Sequence, residues 1–247
     1  MADYWSLKSY EVTYQWEESH LPKTAKTVLD VGCNAAYGTE VLSAHGRLVV
    51  GLDIDKTAII RNVKRLVSNT CYTACDIFAL PAKCVDAVVC NNVIEHIRDD
   101  AGFLHQLGRL IKDDGTVFIT TPNAHERLKD GELPFNPLHL REYTRSDFAK
   151  LLQSQFQHVD IYGLYPTPTV AAWFKKRIER RWGLRYAVYL PEIIKKPLRL
   201  LWTLLFAPAS KGNEGGDDFT IAPIDEQSQG EPMDFIAICS GACSDET

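Results

Sequence analysis

The segment Val28-Leu29-Asp30-Val31-Gly32-Cys33-Asn34-Ala35-Ala36-Tyr37-Gly38 runs from an apolar strand into a turn of small residues, with a helix expected near Thr39. Small residues let a ligand approach the backbone, and the following helix offers free N–H groups; together these make a nucleotide crevice. Twenty-three residues after Asp30, a second apolar run ends in Gly51-Leu52-Asp53-Ile54-Asp55. An acid at that point accepts hydrogen bonds from both hydroxyls of a ribose. A third run closes on Asp76-Ile77, an acid suited to an exocyclic amine beside an apolar side chain suited to an adenine face. Each signal alone is more simply a tight turn or a solvated strand end. Three of them in order, at the carboxyl ends of successive strands, point to an adenosine site. A dinucleotide fits poorly, because its G-x-G-x-x-G fingerprint brings backbone against a pyrophosphate, whereas Gly32 and Gly38 have no glycine between them.

Two histidines are candidates for proton transfer near neutral pH. His96 follows the fourth apolar run in Val93-Ile94-Glu95-His96, and His139 sits in the loop after the fifth. The plain alternative is that each caps a loop. Arg141 and Glu142 follow His139 and are expected to contact a substrate or to form an internal salt bridge, the second being preferred. Cys71 and Cys75 lie in a strand-like run whose alternation puts both on one side. Without a second Cys/His pair at zinc spacing they make no structural zinc site. Neither a G-x-S-x-G nucleophile nor a P-loop is present.

Positioning these residues requires a sheet. The apolar runs Thr27–Val31, Leu48–Ile54, Cys71–Ile77, Val85–Asn91 and Thr116–Thr121 have the length and composition of strands buried on both faces. Amphipathic stretches separate them: on Asp99–Lys112, Phe103, Leu104, Leu107, Leu110 and Ile111 form one apolar stripe, and Asp113-Asp114-Gly115 ends it. Strand–helix–strand repetition predicts a doubly wound α/β sheet with right-handed crossovers. A later helix is expected near Thr144, capped by it with Asp147 three residues on. His158–Tyr165 and Met233–Cys239 supply a sixth and a seventh strand. The stretch between them, 166–232, is too long for a hairpin and reads as a helical insert. No internal repeat is found. The whole chain, 1–247, reads as one domain with an N-terminal helical segment over 1–24.

At this point the sequence resembles the class I S-adenosylmethionine-dependent methyltransferases. VLDVGCNAAYG, VVGLDID, CDIFALP, VDAVVCNNVIEHI and GTVFITTPN match that family's motifs in order, over roughly residues 25–165 and again at the last strand. The resemblance implies a seven-stranded Rossmann-like sheet and S-adenosylmethionine as cofactor. It assigns Asp30, Gly32 and Asn34 to the methionine end, Asp53 to the ribose, Asp76 and Ile77 to the adenine, and Asn91 to a place under the sulfonium. The family usually carries glycine where Asn34 and Ala36 stand. The motifs TTPN and NPLHLREYT look like a subgroup often linked to glycan, cell-surface or secondary-metabolite biosynthesis. Glu95, His96 and His139 also resemble part of the Glu-x-x-Glu-His set, with a distant His, that holds a divalent cation in small-RNA 2′-O-methyltransferases. Here the first Glu is replaced by Asn92, which weakens a hard-cation site.

The implied activity is O-methylation of a small or glycan- or lipid-linked acceptor, with His96 or His139 assisting. N-methylation of an amino sugar or similar amine is the alternative, as is a non-catalytic cofactor-binding scaffold.

The ends and the insert add partners. Lys and Arg crowd residues 169–200, nine against two acids, and acids crowd 212–234, seven with no Lys or Arg. Val170, Phe174, Ile178 and Trp182 recur at i+4 beside Trp173, opposite Lys175, Lys176, Arg180 and Arg181, which predicts a basic amphipathic helix. Its readings are a lid over the substrate mouth, a dock on a membrane or lipid-linked anionic substrate, or a dimer contact. The apolar stretch 197–206 is too short to span a bilayer. The acidic stretch reads as a mobile loop, and overall acidity argues against nucleic acid. Tyr4, Trp5, Tyr10, Tyr14 and Trp16 make an aromatic-rich helix, which the family resemblance implies covers the cofactor or shapes the acceptor pocket, with packing on the sheet edge as the equal alternative. Seven cysteines at irregular spacing and no basic leader followed by an apolar core lead to the expectation of a reducing, cytoplasmic setting.

Overall fold

The computed structural model describes residues 4–127, 134, 136, 138–182, 218–224 and 230–243, with backbone alone for 177–182. Five parallel strands, β1 (Thr27–Val31), β2 (Leu48–Leu52), β3 (Thr70–Thr73), β4 (Val85–Asn91) and β5 (Ile111–Pro122), alternate with helices. These helices are α2 (Tyr37–Leu42), α3 (Lys56–Asn62) and α4 (Asp100–Leu110). After β5 come α5 (Ala124–Arg127), α6 (Arg145–Gln153), β6 (Phe156–Pro166), α7 (Pro168–Trp182), β7 (Phe219–Pro223) and β8 (Asp234–Ala242); α1 (Tyr4–His20) precedes them all. The strand order is β3-β2-β1-β4-β5-β8-β6-β7. β8 lies antiparallel between β5 and β6. The doubly wound class is as expected, and the order reverses between β1 and β4, where open α/β sheets take their ligands.

Helix boundaries follow local chemistry. Asp99 caps α4 by accepting from Gly102 N at 3.0 Å, and the helix buries Phe103, Leu104, Leu107 and Leu110. Thr144 caps α6, its Oγ1 accepting from Asp147 N at 3.1 Å and donating to Asp147 Oδ2 at 2.8 Å.

Three expectations need correction. The sheet has eight strands, not seven, because Phe219–Pro223 pairs antiparallel with the long β6, Tyr162 opposite Pro223 and Pro166 opposite Phe219. This strand lies within the acidic stretch expected to be a loop. Its alternation, with Phe219 buried in an apolar cluster, overrides the acidic composition around it. The 166–232 insert is therefore not purely helical. Strand β3 is shorter than the run Cys71–Ile77: it ends at Thr73, and Ile77 opens a 3-10 turn over Ile77–Ala79. The expected helix does form at 168–182, with Val170 buried and Trp173 and Phe174 packed on the cluster of Trp5, Leu164, Phe219 and Ile236. Its later side chains, the apolar 197–206, and 212–217 and 225–229 of the acidic stretch lie outside the described residues. No described helix is long and apolar enough to cross a membrane.

The two faces of the sheet bury different partners. Leu29, Val31, Val88, Cys90, Val117 and Ile119 pack with α4 and α6. Val28, Val49, Ala87, Val89 and Phe118 pack with Leu42 of α2 and Tyr14 and Leu21 at the start of the chain. Side chains alternate along a strand, so Asp30, Asn91 and Thr120, two residues past Val28, Val89 and Phe118, project to the same face as α1. All three are buried.

Helix α1 seats against α2 at a point where only glycine fits. A Cβ on Gly38 would lie 2.0 Å from Tyr14 Cζ. Gly38→Ala is expected to cost about 1–3 kcal/mol through overpacking, read as a lowered urea midpoint. Combined with Tyr14→Ala, the total loss should fall below the sum of the two single losses; a strictly additive pair would refute the contact.

Candidate functional site

The turn after β1 is tied to the end of β2 by backbone and by one carboxylate. Gly32 N and Cys33 N both donate to Leu52 O, at 2.8 and 3.1 Å. Asp53 Oδ2 accepts from Asn34 N at 2.9 Å, and its Oδ1 from Asp55 N at 2.8 Å. Asn62 Nδ2, from α3, donates to Asn34 O at 2.7 Å. Three residues of the turn are left-handed: Gly32 at φ 77°, Asn34 at 38° and Ala36 at 64°. Asn34 and Ala36 thus hold, at some conformational cost, backbone positions where glycine is unstrained. The missing Cβ atoms of Gly32 and Gly38 clear space at two packed positions. They clear it for the protein itself: a Cβ on Gly32 would lie 2.4 Å from Val93 Cγ2, and one on Gly38 would enter the Tyr14 ring. Cys33 is buried beside Asp30 and Asp53, and burial pushes its thiol up to about 12, so it is no nucleophile at neutral pH.

Beneath the turn lies a floor of buried polar groups. Asp30 has no exposed surface; its Oδ1 accepts from Tyr14 Oη at 3.1 Å and its Oδ2 from Thr39 Oγ1 at 2.6 Å. Burial pushes its carboxyl up to about 6, against the opposing pull of those two hydrogen bonds. Asp30, expected at the methionine end, is wholly buried in this structure with Tyr14 and Thr39 as its hydrogen-bond partners. Asn91, at the end of β4, donates from Nδ2 to Glu17 Oε2 at 2.8 Å. Glu17, from α1, is also wholly buried and accepts from Thr120 Oγ1 at 3.5 Å. Loss of water pushes its carboxyl up to about 8; Asn91 and Thr120 pull it down and the charge of Asp30 pushes it further up.

At the third strand, Asp76 accepts from Phe78 N at 3.1 Å and is exposed at the rim. Ile77, expected to face the adenine, is 5% exposed and belongs to the main core with Phe103, Leu104 and Leu107. The exposed apolar surface following these two acids is Ile54, 83% exposed, and Phe78, 59%.

The histidines do meet. The rings of His96 and His139 are edge to face, 4.7 Å between centroids. His96 Nδ1 lies 2.9 Å from Leu138 O, and His139 Nδ1 3.0 Å from Glu142 Oε1. Carbonyl and carboxylate oxygens only accept, so each Nδ1 carries the proton and, in the neutral rings, each Nε2 keeps its lone pair. The buried Glu95 carboxylate stands beside them, Oε1 at 3.9 Å from His139 Nε2, and accepts from Thr121 Oγ1 at 3.4 Å. Ligand atoms of Glu95, His96 and His139 lie within 4.8 Å of one another. The loop is held by Leu140 N donating to Glu95 O at 2.8 Å. Arg141 and Glu142 do not pair with each other: Arg141 pairs with Asp100, and Glu142 with His139.

Sequence motifs did not reveal Glu17, Thr39 or Thr120, and Tyr14 was noticed only as an aromatic. The missed signal is the i+4 line Trp5, Ser9, Thr13 and Glu17 along α1, all buried. Because three of the four are polar, no hydrophobic periodicity marks this face.

A family model described as a methyltransferase domain matches residues 11–155. A protein named as a probable S-adenosylmethionine-dependent methyltransferase of Mycobacterium tuberculosis is 31% identical over 68% of this chain and 61% of its own length. A similarly named protein of Mycolicibacterium smegmatis is 26% identical over 96% of this chain and 88% of its own. A ubiquinone biosynthesis O-methyltransferase of Azotobacter vinelandii is 30% identical over 45% of this chain and 51% of its own. This chain therefore spans less than two thirds of the first and third of these relatives. Among solved structures, a 1,6-didemethyltoxoflavin N1-methyltransferase of Burkholderia thailandensis, with S-adenosylhomocysteine bound, aligns with a TM-score of 0.55 at 21% identity, over 68% of this chain and 76% of its own. That likeness shows a shared fold.

The buried carboxyls make stability depend on pH. A carboxyl whose folded pKa is raised contributes stability that is complete below its unfolded value and is lost as pH rises through the folded value. Asp30 loses its part by about 6 and Glu17 by about 8. Glu17→Gln is expected to flatten the decline in urea midpoint over the upper part of this range, gaining on the wild type as pH rises. Parallel curves for the two proteins would show that Glu17 does not titrate there.

Proposed function

The chain belongs to the methyltransferase-domain family, and from that premise we propose that it is an S-adenosylmethionine-dependent methyltransferase passing a methyl group to a hydroxyl oxygen. The acceptor class is a small molecule, free or linked to a glycan or lipid. Residues at the switch between β1 and β4 fit the cofactor. Asp53 spends one lone pair of each oxygen on Asn34 N and Asp55 N, leaving acceptor capacity for ribose hydroxyls. Asp76 stands at the rim for an adenine amine, with Ile54 and Phe78 supplying apolar faces. Gly32 and Asn34 line the turn against the amino-acid end, and Asn91 closes the crevice from β4. The cofactor, when bound, supplies an electrophilic methyl on a sulfonium.

The chain must then align an acceptor and take its proton. The observation that carries this reading is the histidine pair, whose Nδ1 atoms are both engaged by protein oxygens. His96 is exposed at the mouth and receives the acceptor proton at Nε2; Glu142 holds the His139 ring in place and stabilises it when charged. The O-methyltransferase of Azotobacter supports an oxygen acceptor. The N1-methyltransferase with this fold keeps an amine acceptor as the alternative, in which a neutral nucleophile needs less help from a base.

A second reading is favoured by the cluster of Glu95, His96 and His139. With Nδ1 of each ring engaged, their Nε2 atoms and the Glu95 carboxylate offer three donors to a divalent cation. Asn92, whose buried Oδ1 has no hydrogen-bond partner among the described residues, stands near in sequence as a neutral oxygen donor. Such an ion would hold the acceptor hydroxyl and lower its pKa.

The test is stepwise. Calorimetry should detect S-adenosylhomocysteine binding, and Asp53→Ala should weaken it by about 1.5–3 kcal/mol, the worth of hydrogen bonds to a charged group. An unchanged dissociation constant would remove Asp53 from the ribose site. In a methyl-incorporation screen over hydroxyl and amine acceptors, His96→Ala with His139→Ala should lower turnover about 10²–10⁴-fold. Survival of most activity would favour the amine acceptor. Full activity in excess chelator would eliminate the cation.

A further inference from the structure

Glu17 is a wholly buried carboxyl on a helix that carries none of the recognised motifs, yet it reaches the last residue of β4. Its partner Asn91 is itself buried. Its Nδ2 is committed to Glu17, while its Oδ1 has no hydrogen-bond partner among the described residues. A carboxamide has one donor end and one acceptor end. With the donor end held by Glu17, Asn91 offers only an acceptor beside the turn that follows β1. Leaving such a buried acceptor unmet costs free energy, so a ligand that supplies a donor gains by it.

The charge nearby narrows the donor. Glu17 and Asp30 both lie under this point, close enough for the charge of Asp30 to disfavour ionisation of Glu17. With Glu17 kept largely protonated by burial, the Asp30 carboxylate beneath this acceptor supplies the charge that favours a cationic N–H donor over a neutral hydroxyl and disfavours a carboxylate. The amino-acid end of S-adenosylmethionine carries such a group, its α-ammonium.

We propose that Glu17 is a positioning residue of the crevice: by holding Nδ2 of Asn91 it turns Oδ1 toward the α-ammonium of the adenosyl ligand. Helix α1 thereby completes the ligand site from outside the strand-end motifs. This rests on reading the crevice as an S-adenosylmethionine site.

Two ligands measured by calorimetry separate the possibilities: S-adenosylhomocysteine, which has the ammonium, and 5′-methylthioadenosine, which keeps the adenosine and thioether but lacks the amino-acid tail. Glu17→Met preserves volume and removes the acceptor for Asn91. It should weaken S-adenosylhomocysteine about ten- to hundredfold, the worth of a charge-assisted hydrogen bond, and leave methylthioadenosine nearly unchanged, which also certifies the fold. Glu17→Gln, whose Oε1 can still accept from Nδ2, should restore most of the affinity. Asn91→Ala should repeat the selective loss, and the double variant should be no weaker than Asn91→Ala alone. Equal losses for both ligands, no loss, or full additivity of the two substitutions would overturn the proposal while leaving the crevice reading intact. A wild-type protein that binds neither ligand would overturn both.

Discussion

Three neighbouring strands bring polar side chains, Asp30, Asn91 and Thr120, onto a face of the sheet that water does not reach. A buried carboxylate or carboxamide without partners costs more than most single contacts return. The architecture depends on how that face is answered. Helix α1 answers it with Tyr14 and Glu17, and α2 with Thr39. The helix is therefore more than a cover: its polar stripe completes the sheet. The consequence is electrostatic. Two carboxyls share one dry region, and burial raises both, so each resists ionisation and the charge of one disfavours that of the other.

Above that floor, the turn after β1 owes its shape to internal packing. Val93 and Tyr14 occupy the spaces that Cβ atoms on Gly32 and Gly38 would need. Asp53 then fastens the turn by accepting from Asn34 N, so the acid proposed for the ribose also sets the loop around it. Left-handed Asn34 and Ala36 stand where the family resemblance leads one to expect glycine. The departure from the common pattern therefore lies in side-chain identity, and the backbone keeps the conformation that glycine would permit.

The histidine pair shows the same economy of parts. Leu138 and Glu142 each capture one Nδ1, and the backbone bond from Leu140 to Glu95 holds the carboxylate next to the rings. The loop after β5 thus brings His139 with its Glu142 partner, and the carbonyl that holds His96, against the Glu95 and His96 of the turn after β4. A proton acceptor and a cation site would use the same Nε2 atoms, which is why both readings converge on these residues.

The order of strands and helices through β5, the cap at Thr144 and the strand ends carrying Asp53, Asp76 and His96 were all legible in the sequence, since each depends on periodicity or composition over a few neighbouring residues. Strand β7 was not, because its pairing with β6 outweighs an acidic local composition that by itself reads as loop. The burial of Ile77 was not legible for the same reason: its neighbours in the chain say strand end, and its neighbours in space are Phe103 and Leu107 of the core. Glu17 lay beyond reach altogether, being 74 residues from Asn91 in sequence and on a helix face with no hydrophobic period. The sequence by itself determined the doubly wound class and the acids at its rim, because alternation and turn chemistry are local. Only the tertiary structure decided which buried polar groups meet, because a hydrogen bond between distant segments depends on packing that no short window of residues encodes.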